Sequence, residues 1–555
     1  MKKLLFYILA VLLYVNCYAQ GNSVKSSKMF ETIVQQGKPK LVVGIVVDQM
    51  RYDYLTRFDS KYGNGGFKRL INEGFNCKNT HFNYIPTYTG PGHASIYTGT
   101  TPKYHGIISN SWFDKEIKKT IYCVNDTLFE PVGTQDSYSR VSPQNMKVST
   151  VTDELRMATQ MRGKVIGIAI KDRGAALPAG HSANGAYWFQ GGQEGNWVTS
   201  TFYMNELPNW VEKFNNSDAA ENYFKTWDTY YKIETYTESG LDQNDFEGGF
   251  NGKPFATFPY ELEKLKDFNN GFDLLKSTPY GNSLTTDFAL AAIEGEKLGK
   301  DEITDFLTVS YSSTDYIGHN FGVNSKEIQD TYVRLDQDIE RFLNYLDQKV
   351  GKGEYTVFLT SDHGAVDVPA YLQSIKIPAG YFNSTDFKSR LNEFVTKKFK
   401  ASDLIESISN NQVFLDRSTI DLLDLDLEDV QEAIVNEIIN YEQIDKAFTA
   451  TTMGSVYFDT GIEAMLQMGF NQKRSGDVLY VLDPAVLSYS KTGSQHGSGF
   501  NYDTHVPLLF YGYGIKKGST AVRTEITDLA PTISTLLNIS FPNAAIGKPI
   551  NFVLD

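Results

Sequence analysis

Seven consecutive apolar residues, Leu41-Val42-Val43-Gly44-Ile45-Val46-Val47, run without a polar interruption and stop at Asp48. A short β-branched run without alternation fits a strand covered on both faces, as in a parallel sheet. The pattern returns four times. Val165–Ile170 runs into Lys171 and Arg173, and Phe306–Tyr311 is followed by Asp315. Tyr355–Leu359 leads to Asp362 and His363, and Val506–Tyr511 ends in glycines. Helical stretches lie between these runs. After Ser325, read as an N-cap, Ile328, Tyr332, Leu335, Ile339, Phe342 and Leu346 recur at spacings of three and four, giving one apolar face. Strands alternating with helices predict an α/β chain, a doubly wound and mainly parallel sheet flanked by helices. Such sheets bind ligands beyond the carboxyl ends of their strands. Four of the five runs carry chemically capable residues at that position.

A chain of 555 residues exceeds the usual single-domain range, so inserted lobes are expected on one large core. The sequence divides into a signal peptide (1–19), a polar linker (20–38) and a catalytic domain (39–555). The insertions are expected at about 200–285 and 376–480, capping the site. The first is rich in Tyr, Phe, Asn and Gly; the second holds amphipathic stretches around Phe387–Phe399 and Leu427–Ile439. Lys2 and Lys3, the apolar Leu4–Tyr14 and the segment Cys17-Tyr18-Ala19 make the signal peptide, with cleavage before Gln20. Lipid modification of Cys17 is the rival reading, and Asn16 fits it poorly. No segment approaches the ~20 apolar residues of a membrane span. The mature chain is therefore expected in the periplasm or outside the cell. Cys77 and Cys123 remain after cleavage, and an even pair in an oxidising compartment suggests one disulfide. A net charge of −14 with no long Lys/Arg run argues against binding nucleic acid as a polymer. A phosphate substrate would need a locally positive site.

Asp48, Asp315, His319, Asp362, His363 and His496 offer three carboxylates and three imidazoles. Asp315 and His319, at i and i+4, share one face of a helical turn. Asp362 and His363 are adjacent before Gly364, and His496 lies in a loop of glycines and serines. Taken singly, each reads equally as a capped turn, a surface pair or a solvated loop residue. Together they suit Zn²⁺ and are too many for one tetrahedral ion, so two are expected. Two ions about 4 Å apart can clamp the attacking and leaving oxygens of an in-line displacement. Thr89, in Thr87-Tyr88-Thr89-Gly90-Pro91-Gly92-His93, is the candidate nucleophile, with a helix predicted to start just after it. Its bland reading is an N-cap. Lys171 and Arg173, on an extended chain, would point the same way and hold a phosphoryl group between them.

With these motifs in this order, the chain from Leu41 onward resembles the alkaline phosphatase superfamily. It is most similar to the exported, phosphate-irrepressible monoesterases with a threonine nucleophile. Thr527-Asp528-Leu529-Ala530-Pro531-Thr532 is similar to the helix start near the end of that superfamily. The resemblance implies one zinc on Asp315, His319 and His496, and a second on Asp48, Asp362 and His363 that also binds Thr89. It implies that Asn110 donates to a phosphoryl oxygen, and that Lys171 and Arg173 mark a monoesterase acting on small-molecule phosphate monoesters through a phosphothreonine intermediate. Thr89-Gly90-Pro91-Gly92-His93 lacks the Cys/Ser-x-Pro-x-Arg pattern of the sulfatase relatives. His93, His105 and His505 have no ligand role in the resemblance and read as structural or as supports behind the ligands. The alternatives are a phosphodiesterase or phosphonate hydrolase on the same core, and a non-catalytic exported metal-binding protein. The oligomeric state is open, with a monomer as the working expectation.

Overall fold

Alternate residues of the first apolar run face opposite ways: Leu41, Val43, Ile45 and Val47 enter one hydrophobic core, Val42 and Val46 another. This is the two-sided burial that the unbroken run predicts, and all seven residues are buried. The computed structural model describes residues 37–555, so the signal peptide, Cys17 and nearly all of the linker lie outside the described residues.

In chain order the elements that matter are β1 (Leu41–Val47), β2 (Phe75–Cys77), α1 (Thr89–Thr98), β3 (Ser111–Asp114), β4 (Lys119–Tyr122), β5 (Pro131–Val132) and β6 (Val165–Ala169). They continue with α2 (Asp172–Ala179), β7 (Gly185–Gln190), β8 (Asn196–Ser200), β9 (Asp305–Tyr311), α3 (Ser313–Phe321), α4 (Lys326–Leu346) and β10 (Tyr355–Thr360). Then come β11 (Gly380–Tyr381), β12 (Ile405–Ser409), β13 (Gln412–Leu415), β14 (Ile444–Thr449), β15 (Val478–Leu482), β16 (Val486–Leu487), β17 (Leu508–Gly512) and β18 (Gly518–Thr520).

The main sheet has ten strands in the order β18-β2-β17-β10-β1-β9-β6-β7-β8-β5. Its centre, β10-β1-β9-β6-β7, is parallel. The strand from the fifth apolar run, β17, is antiparallel to β10, and β8 is antiparallel to β7. Pairing of Val46 with both Ser310 and Thr360 sets Asp48, Ser312 and Asp362 at one level, past the carboxyl ends. α4 starts as predicted, with Ser325 Oγ accepting from Ile328 N at 3.1 Å.

The two inserted segments behave differently. The first is not a separate lobe: Phe224, Trp227, Phe250, Tyr260 and Leu262 belong to the same core as β1. Asp330 of α4 secures it, accepting from Trp227 Nε1 (2.8 Å), Tyr230 N (2.6 Å) and the Tyr236 hydroxyl (2.6 Å). These aromatics fill the core instead of capping the site. The second is a lobe with its own hydrophobic core and a four-stranded sheet, β12-β13-β15-β14. It reaches past residue 480, because β15 is one of its strands. The chain enters and leaves it through a parallel clasp, with Gly380 opposite Val486 and Tyr381 opposite Leu487.

The expected disulfide is absent. Cys77 and Cys123 are both free and buried, and they pack in different cores. Burial pushes each thiol up to about 12. An even count could not reveal that each cysteine serves as a small apolar filler. Thiol titration of the mature chain, unfolded without reductant, is expected to find two thiols; finding none would restore the disulfide.

Candidate active site

The site forms where the parallel strands end and the chain turns. Asp48 follows β1, Lys171 follows β6, Asp315 lies in the first turn of α3 after β9, and Asp362 and His363 follow β10. His496 comes from the loop before β17 and His319 from the last turn of α3. Two groups have ligand atoms all within 4.8 Å of one another: Asp48, Asp362 and His363; and Asp315, His363 and His496. His319 Nε2 lies 3.1 Å from Asp315 Oδ1 but stands outside the second group, where His363 takes the third place.

The histidines share one anchoring device. Nδ1 lies 2.8 Å from Ser494 O in His319, 3.0 Å from Gly364 O in His363 and 2.8 Å from Thr87 O in His496. A carbonyl oxygen only accepts, so Nδ1 carries the proton and a neutral ring turns its Nε2 lone pair inward. Burial lowers the His363 pKa to about 3 and also lowers that of His496, so both rings are neutral. His363 Nε2 then turns its lone pair toward Asp48 Oδ1 and Asp362 Oδ2, each at 3.5 Å. These three atoms are buried and lack hydrogen-bond partners among the described residues. Burial, with repulsion from Asp315 and Asp362, pushes the Asp48 carboxyl well up. Burial acts the same way on Asp315 and Asp362, but the charge of Lys171 counters it, holding Asp315 well down and Asp362 down. Lone pairs and carboxylates converging at a buried point form a site fit for a cation. Mixed N/O donors fit a transition metal such as zinc.

Thr89 is the first residue of α1. Tyr88 is the N-cap, and no side chain caps the helix. The Thr89 hydroxyl is therefore not engaged in capping; its one hydrogen-bond partner among the described residues is Arg173 Nη2 at 3.5 Å. The helix start brings partial positive charge to that hydroxyl. Gly92 lets α1 approach the strand-end loop: a Cβ there would come 2.4 Å from Asp362 O. Asn110 Oδ1 accepts from Gly90 N at 2.7 Å, which leaves its NH₂ group as the unused donor. An open cleft of about 300 Å³ is lined by Thr89, Asn110, Arg173, Asp315, His319 and His496, among others.

Lys171 and Arg173 do not lie side by side on an extended chain. Lys171 caps α2, Asp172 opens it, and the two side chains diverge. Lys171 Nζ bridges Asp48 Oδ2 (2.7 Å) and Asp315 Oδ2 (2.5 Å), whereas Arg173 points to Thr89. Two residues escape a reading of the sequence. Gln49 has φ +64 and joins the two ligand groups, donating from N to Asp362 Oδ1 (3.1 Å) and from Nε2 to Asp315 Oδ1 (2.6 Å). A non-glycine in that region is strained, and such strain gathers at functional sites. Tyr122 accepts from Arg173 Nη1 at 3.0 Å and donates to Asp172, fixing the guanidinium. Neither has a sequence signature, although Gln49 directly follows a strand-end aspartate. His93 joins Thr89 O (2.9 Å), Ser310 Oγ (2.9 Å) and Asp362 Oδ2 (3.4 Å), behind the cleft.

The family model described as type I phosphodiesterase / nucleotide pyrophosphatase matches residues 42–506. A Myroides odoratus protein named calcium-transporting ATPase is 46% identical over 523 residues, 93% of this chain and 95% of that one. Alkaline phosphatase PafA of Elizabethkingia meningoseptica is 45% identical over 520 residues, covering 93% and 95%. The crystal structure of wild type alkaline phosphatase PafA superposes with a TM-score of 0.90, covering 93% of this chain and 99% of that one. A further PafA structure, 44% identical with a TM-score of 0.90 and coverage of 93% and 99%, carries substitutions at a threonine, an asparagine, a lysine and an arginine, in that order.

Proposed function

From the premise that the chain belongs to the type I phosphodiesterase / nucleotide pyrophosphatase family of the alkaline phosphatase superfamily, we propose that it hydrolyses phosphate monoesters with two zinc ions and Thr89 as nucleophile. As an enzyme it is an alkaline phosphatase. The observation that carries the zinc and threonine reading is the convergence of unprotonated Nε2 atoms and buried carboxylates beside a helix-start hydroxyl that caps nothing. Asp48, Asp362 and His363 would hold one ion; Asp315 and His496 would hold the other, with His319 completing it. When bound, the ions would lower the pKa of attacking oxygens and stabilise charge on the leaving oxygen.

The chain's own residues account for the rest. Thr89 Oγ gives its proton to solvent and forms a bond to phosphorus as the ester P–O bond breaks in line; the leaving alkoxide takes a proton from solvent. Water then attacks the phosphothreonine and the Thr89 Oγ–P bond breaks, one water proton returning to Thr89 Oγ as phosphate departs. The Asn110 amide and Arg173 guanidinium hold the non-bridging oxygens, and Tyr122 keeps Arg173 in place. Lys171, between Asp48 and Asp315, offsets the crowding of carboxylates. Residues 1–19 act as a leader, so the mature enzyme works outside the cytoplasm on small-molecule monoesters.

The matched family's description favours a second reading as a phosphodiesterase. No helix among the described residues is long and apolar enough to cross a membrane. Turnover of an aryl phosphate monoester and its diester, before and after chelation, separates the readings. The monoester is expected to be preferred by at least about a hundredfold, with activity lost to chelator and restored by Zn²⁺. Preference for the diester would sink the monoesterase reading, and full activity in a metal-free sample would sink the zinc reading.

A further inference from the structure

The inserted lobe reaches the active-site cleft with the tip of the β12–β13 hairpin. Ser409 pairs with Gln412, leaving Asn410 and Asn411 as a two-residue turn with φ of +53 and +56. This is the left-handed turn that asparagine favours and that matches the twist of a hairpin. The Asn410 carboxamide is not spent on the turn. Its Oδ1 accepts from Ser109 Oγ at 2.9 Å, and its Nδ2 donates to Ser111 O at 2.8 Å. One side chain thus grips the residues on either side of Asn110. The asparagine itself is held from the core side, by Gly90 N on its Oδ1 (2.7 Å) and by Cys123 N on its carbonyl (2.9 Å). Asn410 also lines the same cleft as Thr89 and Arg173.

The lobe is braced for this task. Phe414 of β13 meets Phe113 of β3 edge-on at 5.4 Å, and Lys115 Nζ donates to Ser475 O at 2.8 Å. Lys118 forms ion pairs with Glu406 (2.5 Å) and Asp416 (3.4 Å). The hairpin β3–β4, whose base carries Asn110, is thereby packed along the lobe.

We infer that Asn410 is a positioning residue: through Ser109 and Ser111 the inserted lobe sets the Asn110 amide at the distance and angle at which it binds a phosphoryl oxygen. The inference rests on the proposed role of Asn110 as phosphoryl donor. It assigns the lobe a part in the reaction and not only in covering the cleft.

Glycine tolerates the left-handed turn and removes the carboxamide, so Asn410→Gly separates the grip from the fold. Asn411→Gly, at the neighbouring left-handed position, is the control and is expected to behave as wild type. With the zinc-loaded full-length enzyme, Asn410→Gly is expected to lower kcat/KM for an aryl phosphate monoester by about ten- to a hundredfold. It should weaken inhibition by inorganic phosphate to a similar degree, with Tm and zinc content unchanged. In an Asn110→Ala background the same change should have less than a twofold effect. If Asn110→Ala is crippled but Asn410→Gly is normal, the inference falls and the role of Asn110 stands. Equal losses in both backgrounds would place the action of Asn410 elsewhere and also overturn it. Normal activity of Asn110→Ala would remove the role of Asn110, and the inference with it.

Discussion

Thr89→Ala is expected to lower kcat for an aryl phosphate monoester by about a thousandfold or more, since removing a covalent nucleophile leaves only binding and electrostatic stabilisation. The structure makes this a clean test. Tyr88 holds the N-cap position of α1 and no side chain caps the helix, so loss of the Thr89 hydroxyl forfeits no cap and the fold should be kept. The carboxylates and imidazoles of the two ligand groups come from other segments, so zinc content should stay near two per chain in metal analysis. A variant that keeps its activity would remove Thr89 from the mechanism. One that loses metal together with activity would show it to be chiefly a ligand. Thr89→Ser, which retains an oxygen at the same place, should recover much of the rate.

Arg173→Ala is expected to lower kcat/KM for the monoester by about a hundred- to a thousandfold, the range for losing one preorganised donor to a developing oxyanion. The paired diester should lose less than about tenfold, because a diester presents one negative charge where a monoester presents two. The guanidinium lies at hydrogen-bond range of Thr89 Oγ1 and is held by Tyr122, so its loss acts at the reacting group. Lys171 is a poorer probe of the same question. It contacts Asp48 and Asp315, so its removal would alter the metal ligands as well. Equal losses for both esters on replacing Arg173 would mean that the arginine serves general binding and does not make the enzyme a monoesterase.

The strand ends were the legible part of this sequence. An unbroken apolar run ending in a charged residue reports both a buried parallel strand and the place where ligands bind, so Asp48, Asp315, Asp362, His363 and Lys171 could be brought to one edge before any coordinates. The rest depended on what one residue cannot reveal. Whether Thr89 caps a helix or begins it turns on a single position, and helix ends are uncertain by more than that. Gln49, in a left-handed backbone, donates to both Asp315 and Asp362, which lie far from it in the sequence. Tyr122 and Asn410 act across long stretches of chain, through hydrogen bonds that no local pattern encodes. The aromatic segment after residue 200 looked like a cap because composition cannot tell a cleft lining from a core.

The parallel clasp of β11 and β16 has a meaning for descent. Neighbouring strands lie only about 4.8 Å apart, so the main body releases its chain at Gly380 and recovers it at Val486 almost where it left. Closing so long an excursion carries an entropy that grows only with the logarithm of its length. What lies between folds around its own core. An excursion that leaves and rejoins the body at one place can change in length between those two points without changing the order of the strands in the main sheet. With Asn410 at its tip, exchanging the lobe would retune the hold on phosphate while every strand-end ligand stayed in place.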